Sequence, residues 1–153
     1  EWQMPLEFIQ RFDLDIILLA GRYTLLDHSG LPKLLPECVK RNVKIAVGGP
    51  YNSGILARDL SMPVTFDYEP APNNLVSQAR ELTKICLEHQ VDLKAAALQF
   101  VLAHPAVATA IPGAQSIAEL EENIKMVQEN IPTPLWDSMR DAGLIPQDAP
   151  TPS

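Results

Sequence analysis

Val107-Ala108-Thr109-Ala110-Ile111 runs directly into Pro112-Gly113-Ala114-Gln115-Ser116-Ile117-Ala118-Glu119-Leu120-Glu121-Glu122-Asn123. The first five residues form a short apolar run with the character of a strand, and Pro112-Gly113 ends it. Ser116 then opens a helix, with Glu119 three residues on, which is the spacing of a capping box. A strand that hands over abruptly to a helix N-terminus leaves backbone N–H groups unpaired and a partial positive charge facing outward, a ready place for a phosphate. A capping box needs no ligand, so an ordinary strand–helix junction also accounts for the stretch.

Two further apolar runs, 14–20 and 43–47, read as strands. All three are continuous rather than alternating, which predicts a parallel sheet covered on both faces. Helical patterns lie around them. A short helix is expected over 5–12. A second spans 31–40, with Pro32 in its first turn and Leu34, Leu35, Cys38 and Val39 along one side. Asn73 or Asn74 is placed to cap a long helix lined by Leu75, Val76, Ala79, Leu82 and Cys86. Asp92 is placed to cap the next, with Leu93, Ala96, Ala97, Phe100 and Val101 inward. Helices over 116–129 and from Thr133-Pro134 to near Gly143 complete the pattern, and the Pro-rich segment 145–153 is expected to fray. Residues 63–72, with Phe66 and Tyr68, read as a long irregular loop, either a lid or packed surface.

Strands alternating with helices define an α/β protein with parallel pairing. Right-handed crossovers put the three strand C-termini on one rim, made of residues 20–23, 48–54 and 112–113. Ligands of α/β folds bind at that rim, so the three loops belong together.

A chain of 153 residues, 46% hydrophobic and 20% charged, suits a single globular domain. Its net charge of −7, with no basic cluster, argues against a nucleic-acid partner. No apolar run is long enough to cross a membrane, and the first residues, Glu-Trp-Gln-Met-Pro, do not resemble a signal peptide. The absence of a starting Met suggests a chain that begins partway through something. Cys38 and Cys86 fall in apolar helical patterns and are expected as free buried thiols in a reducing, cytoplasmic setting. His28, His89 and His104 have no ligand at metal spacing, so no metal is expected.

Nearly the whole chain, from 1 to about 144, resembles the C-terminal half of an aldo-keto reductase. The likeness rests on several segments in order: 19–26 (LAGRYTLL), 48–56 (GGPYNSGIL), 95–100 (AAALQF), 104–107 (HPAV) and 111–114 (IPGA). It is nearest to the bacterial sugar and pyridoxal dehydrogenases of that family. The resemblance implies the C-terminal half of a (β/α)8 TIM barrel, here contributing the sixth to eighth strands. It also implies hydride transfer between a nicotinamide cofactor and a carbonyl or hemiacetal. By likeness Gly48, Gly49, Pro50, Tyr51, Asn52, Ser53, Gly54 and Ile55 strap the pyrophosphate. Ile111, Gly113, Ala114, Gln115, Ser116, Glu119, Glu122 and Asn123 hold the adenosine end, with Glu122 and Asn123 at the adenine.

Departures from the family pattern sharpen this reading. Many members carry Lys-Ser after Ile-Pro and Arg at the Glu119 position, which grip the 2′-phosphate of NADP; here those positions are Gly113, Ala114 and Glu119. A carboxylate repels a phosphate but accepts from a ribose hydroxyl, which favours NAD, with NADP the alternative. The family's carboxamide-binding glutamine falls on Ala20 and its nicotinamide-stacking tyrosine on Gly48. The catalytic Asp, Tyr, Lys and His of the family lie in the other half of the barrel, so no catalytic residue is assigned. A full barrel takes about 250 residues, and three strands leave two open edges.

The expected function is therefore the cofactor-binding half of an oxidoreductase acting on an aldose, aldehyde or alcohol, inactive alone and partnered by an N-terminal half-barrel. The alternative is a non-catalytic half-barrel that self-associates or senses a nucleotide. Trp2, Tyr51 and the Phe66–Tyr68 loop are candidates for substrate contact or for packing.

Overall fold

The computed structural model describes residues 1–152. Its elements are α1 (Gln3–Arg11), β1 (Ile16–Ala20), α2 (Leu34–Arg41), β2 (Lys44–Gly48), β3 (Thr65–Phe66), β4 (Glu69–Pro70), α3 (Asn73–Glu88), α4 (Leu93–Leu102), β5 (Val107–Ile111), α5 (Ile117–Gln128) and α6 (Thr133–Asp141). The strands β1, β2 and β5 form one parallel sheet in that order. Ala20 lies level with Gly48, and Gly48 with Ile111, so the three strands end together on one rim. The expected α/β fold with parallel strands and flanking helices is the fold observed.

The sequence's local signals account for most element ends. Asn42 adopts a left-handed φ of 57° and stops α2, a conformation Asn tolerates better than most residues. The Asp92 side chain accepts from Lys94 N at 2.8 Å and starts α4. Gly143, at φ +69°, closes the turn after α6. At α3 the cap differs from expectation. Pro72 takes the cap position without any side-chain bond, and Asn73 and Asn74 already lie in the first turn.

The expectation of a sheet covered on both faces is corrected. Leu19, Ile45 and Val47 point into a core with Leu34, Leu35, Cys38, Phe100 and Trp136. On the opposite face Ile16, Leu18 and Ile111 are 54%, 63% and 52% exposed. Crossovers of one hand lay the covering helices on one side of the sheet, so alternate residues are left bare on the other. Residues 63–72 are also corrected: they contain the hairpin β3–β4. Asp67 and Tyr68, at φ +51° and +67°, make the tight left-handed turn that such hairpins require. In the closing segment Ile145 and Ala149 are buried, and Arg140 Nη2 donates to Ala149 O (3.2 Å) and Thr151 Oγ1 (2.8 Å).

Cys38 and Cys86 are buried free thiols, pushed up to about 11 and about 12 chiefly by burial. No helix among the described residues is long and apolar enough to cross a membrane.

Candidate functional site

A cavity of about 670 Å³ opens on the sheet rim between residues 49–58 after β2, the turn after β5 and the start of α5. The loop after β2 is shaped by a run of left-handed residues: Gly49 (φ +58°), Asn52 (+46°), Ser53 (+57°) and Gly54 (+93°). Successive turns close on Gly49 O, Tyr51 O and Gly54 O, so the chain winds tightly along one wall. A side chain at Gly49 or at Gly113 would meet nothing within 4 Å, which leaves the backbone open for close approach there.

Most of the residues expected at a ligand come together in this cavity. Gly49, Pro50, Tyr51, Asn52, Ser53, Gly54, Ile111, Gly113, Ala114, Gln115, Glu119, Glu122 and Asn123 all line it. Gly48, Ile55 and Ser116 do not. Gly48 stays in β2 against Ala20, Ile55 is fully buried in the core, and Ser116 is spent as a cap. The capping box is complete: Ser116 Oγ accepts from Glu119 N (3.2 Å), and Glu119 Oε2 accepts from Gln115 N (2.7 Å). Glu119 thus has its carboxylate held at the helix start with Oε1 left over.

Sequence reasoning did not single out Ala57, Arg58 or Lys94, which also line the cavity. Lys94 forms an ion pair with Glu122. The partners lie 28 residues apart, on α4 and α5, so no local pattern announces them. Tyr51 reaches across the cavity wall, its hydroxyl donating to Asn123 Oδ1 at 2.8 Å. Burial, with smaller contributions from Asp92 and Glu122, raises the Tyr51 phenol well above its ordinary value and keeps it protonated.

The hairpin β3–β4 is tied to the rim at several points. Arg22 Nη2 pairs with Asp67 at 2.6 Å and Nη1 with Asp27 at 3.1 Å, and the hydrogen bond to Asp67 is the largest cause of a raised guanidinium pKa. Tyr68 N donates to Ser53 Oγ (3.2 Å) and Thr65 Oγ1 to Ser53 O (3.3 Å). Tyr68 itself stands 92% exposed at the cavity edge.

Neither of the other tyrosine environments suits proton transfer to a ligand in this cavity. Tyr23 is fully buried against Phe100 and His104, and desolvation drives its phenol far above its ordinary value. Tyr68 has no titratable side chain hydrogen-bonded to its hydroxyl among the described residues. Among the described residues no group of His, Cys, Asp or Glu could hold a metal ion.

The sequence and the fold match a known family. The sequence fits the profile of the Aldo/keto reductase family over residues 6–142, and the chain belongs to that family. It is 39% identical to pyridoxal 4-dehydrogenase of Microbacterium luteolum over 145 residues, covering 95% of this chain and 42% of the relative. It is 34% identical to D-threo-aldose 1-dehydrogenase of a Pseudomonas species over 139 residues, covering 90% and 42%. Among solved structures, the holo form of an aldo-keto reductase from Bacillus halodurans superposes with a TM-score of 0.67 and 25% identity, covering 90% of this chain and 45% of that one. The chain therefore spans about two-fifths of the length of these curated relatives, which are oxidoreductases, and folds as half of their barrel.

Proposed function

We propose that the rim cavity holds the adenosine diphosphate portion of a nicotinamide dinucleotide, and that the cofactor is NAD rather than NADP. The chain is then the cofactor-binding half of an oxidoreductase that oxidises an aldose, aldehyde or alcohol. The cofactor supplies the hydride acceptor. This chain's residues bind and orient its far end: the backbone of 49–54 beside the pyrophosphate, Gly113 to Gln115 at the helix start, and Glu122 and Asn123 at the base. The open space beside Gly49 and Gly113 supports that fit, since it lets backbone N–H groups approach a phosphate.

The observation that carries the choice of cofactor is the anchored Glu119. Its carboxylate is held by Gln115 N, and Oε1 remains as an acceptor at the cavity wall. An acceptor-only, anionic group welcomes a ribose hydroxyl and repels a 2′-phosphate. The proton-transfer residues come from the remainder of the barrel, which is the partner this half requires. The chain alone then binds dinucleotide without turning over sugar or aldehyde.

The test is a fluorescence titration of the chain with NADH and with NADPH. NADH is expected to bind more tightly. Glu119→Gln, which keeps the cap but removes the charge, should tighten NADPH by about three- to tenfold and leave NADH little changed. Failure of the wild-type chain to bind either nucleotide would remove the dinucleotide reading. Equal NADPH affinity in both proteins would remove the role of Glu119. A second reading, a half-barrel that self-associates without catalysis, draws on the bare apolar sheet face at Ile16 and Leu18.

A further inference from the structure

We infer that Tyr51 is a positioning residue that locks the Asn123 side-chain amide with its NH2 group toward the rim cavity, so that the site reads a ring-nitrogen acceptor on the bound base. This rests on the dinucleotide reading of the cavity and adds to it how the base is told apart.

Donor and acceptor counting carries the inference. Tyr51 and Asn123 are only 8% and 7% exposed, and the phenol lies 2.8 Å from the amide oxygen. The two are 72 residues apart, one on the loop after β2 and the other on α5. No other hydrogen bond is made by the Tyr51 hydroxyl among the described residues. If the amide were turned over, its N–H would point at the phenol oxygen and the phenol proton would be left buried without an acceptor. A buried donor with no partner is the costlier arrangement, so the amide oxygen faces Tyr51. Burial also keeps that phenol protonated, so it stays a donor.

The amide nitrogen of Asn123 makes no hydrogen bond among the described residues, and Asn123 lines the cavity. Its neighbour Glu122 lines the same cavity as an acceptor. The loop holds Tyr51 in place, since Gly54 N and Leu56 N both donate to its carbonyl (3.0 and 3.2 Å). A donor beside an acceptor on consecutive residues matches the edge of a base on which a ring nitrogen adjoins an exocyclic amino group. Adenine offers that pattern twice, through N7 and N1 beside the N6 amino group.

The experiment measures the affinity of the wild-type chain and of Tyr51→Phe for NADH and for its 7-deazaadenine and 1-deazaadenine analogues, each of which lacks one acceptor nitrogen. Wild type should bind one analogue about tenfold more weakly than NADH, and that analogue identifies the edge being read. In Tyr51→Phe the amide is free to turn, and the ratio should fall to within about threefold of unity. A tyrosine needed only for packing would weaken all three ligands alike, so an unchanged ratio overturns the proposal. Asn123→Asp serves as a second variant. It keeps an oxygen for Tyr51 but turns an acceptor toward the base, and should weaken NADH by at least about tenfold while sparing the sensitive analogue. An Asn123→Asp chain that weakens NADH and the sensitive analogue alike overturns Asn123 as the group that reads the base. Wild-type chain that binds no NADH at all overturns the dinucleotide reading itself, an outcome separate from an unchanged ratio.

Discussion

Single side chains in this protein do two kinds of work, closing the core and facing the rim, and His104 against Tyr23 and His28 against Phe100 belong to the first. His104 is 6% exposed and its Nδ1 accepts from Ala106 N at 3.1 Å, a bond available only to the unprotonated ring. Burial lowers the pKa of both His104 and His28 below the ordinary 6.5. A histidine whose folded-state pKa is depressed is stabilising while neutral. That contribution is complete above the unfolded value and is lost as pH falls from about 6.5 toward the folded value. The free energy of unfolding should therefore drop on acidification below pH 6.5, by at most about 1.4 kcal/mol per pH unit for each extra proton the unfolded chain takes up. Thermal melts from pH 7.5 to 5 check this, and His104→Asn should flatten the slope. A stability that rises toward pH 5 would contradict the burial account. Glu119 shows how far one residue was legible from sequence. The Ser116–Glu119 spacing announced the cap, and the cap formed. Whether its spare oxygen meets a ribose is a property of the cavity, which no spacing encodes.

At the scale of elements, the hairpin β3–β4 was hidden because its strands are two residues each and contain Pro70, too short for any alternation to register. Its turn uses Asp67 and Tyr68 with positive φ, where glycine is ordinarily favoured. Tyr68→Gly should therefore raise stability by about 0.5–1 kcal/mol. If the exposed Tyr68 ring rests on the ligand, the same change should weaken NADH binding. Denaturant melts and NADH titrations separate the two effects, and a loss of stability in Tyr68→Gly would mean that the ring packs rather than waits. The Arg22–Asp67 pair at the hairpin tip is partly exposed and contributes at most about 1 kcal/mol, so its importance is placement of the hairpin over the rim. The helix starts at Asp92 and Ser116 were readable because a cap acts within three residues. The start of α3 was not, because Pro72 displaced the asparagines.

For the molecule as a whole, the sheet is closed on one side and bare on the other. Ile16, Leu18 and Ile111 lie on the open face, and α5 adds Ile117, Leu120, Ile124 and Val127 along one exposed stripe, Ile117 at 77% exposure. An apolar surface of this kind is a docking face or an aggregation hazard. The chain by itself should associate in a concentration-dependent way, and Leu18→Glu should shift it toward monomer in sedimentation velocity. A wild-type chain that stays monomeric at high concentration would show that the bare face is tolerated in water.

The sequence by itself determined the α/β class, the parallel order and the common rim, because apolar periodicity, caps and turn residues act over a few positions and survive without tertiary context. It also placed the rim loops 48–54 and 112–113, since strand C-termini must share one rim, whereas Gln115, Glu119, Glu122 and Asn123 came from the resemblance to the family. The tertiary structure decided which sheet face is covered, the burial of Ile145 and Ala149, and the pairings of Lys94 with Glu122 and Tyr51 with Asn123. Those depend on groups brought together from distant parts of the chain. Their energies come from exclusion of water and matching of donors to acceptors across space, neither of which leaves a mark on neighbouring residues in the sequence.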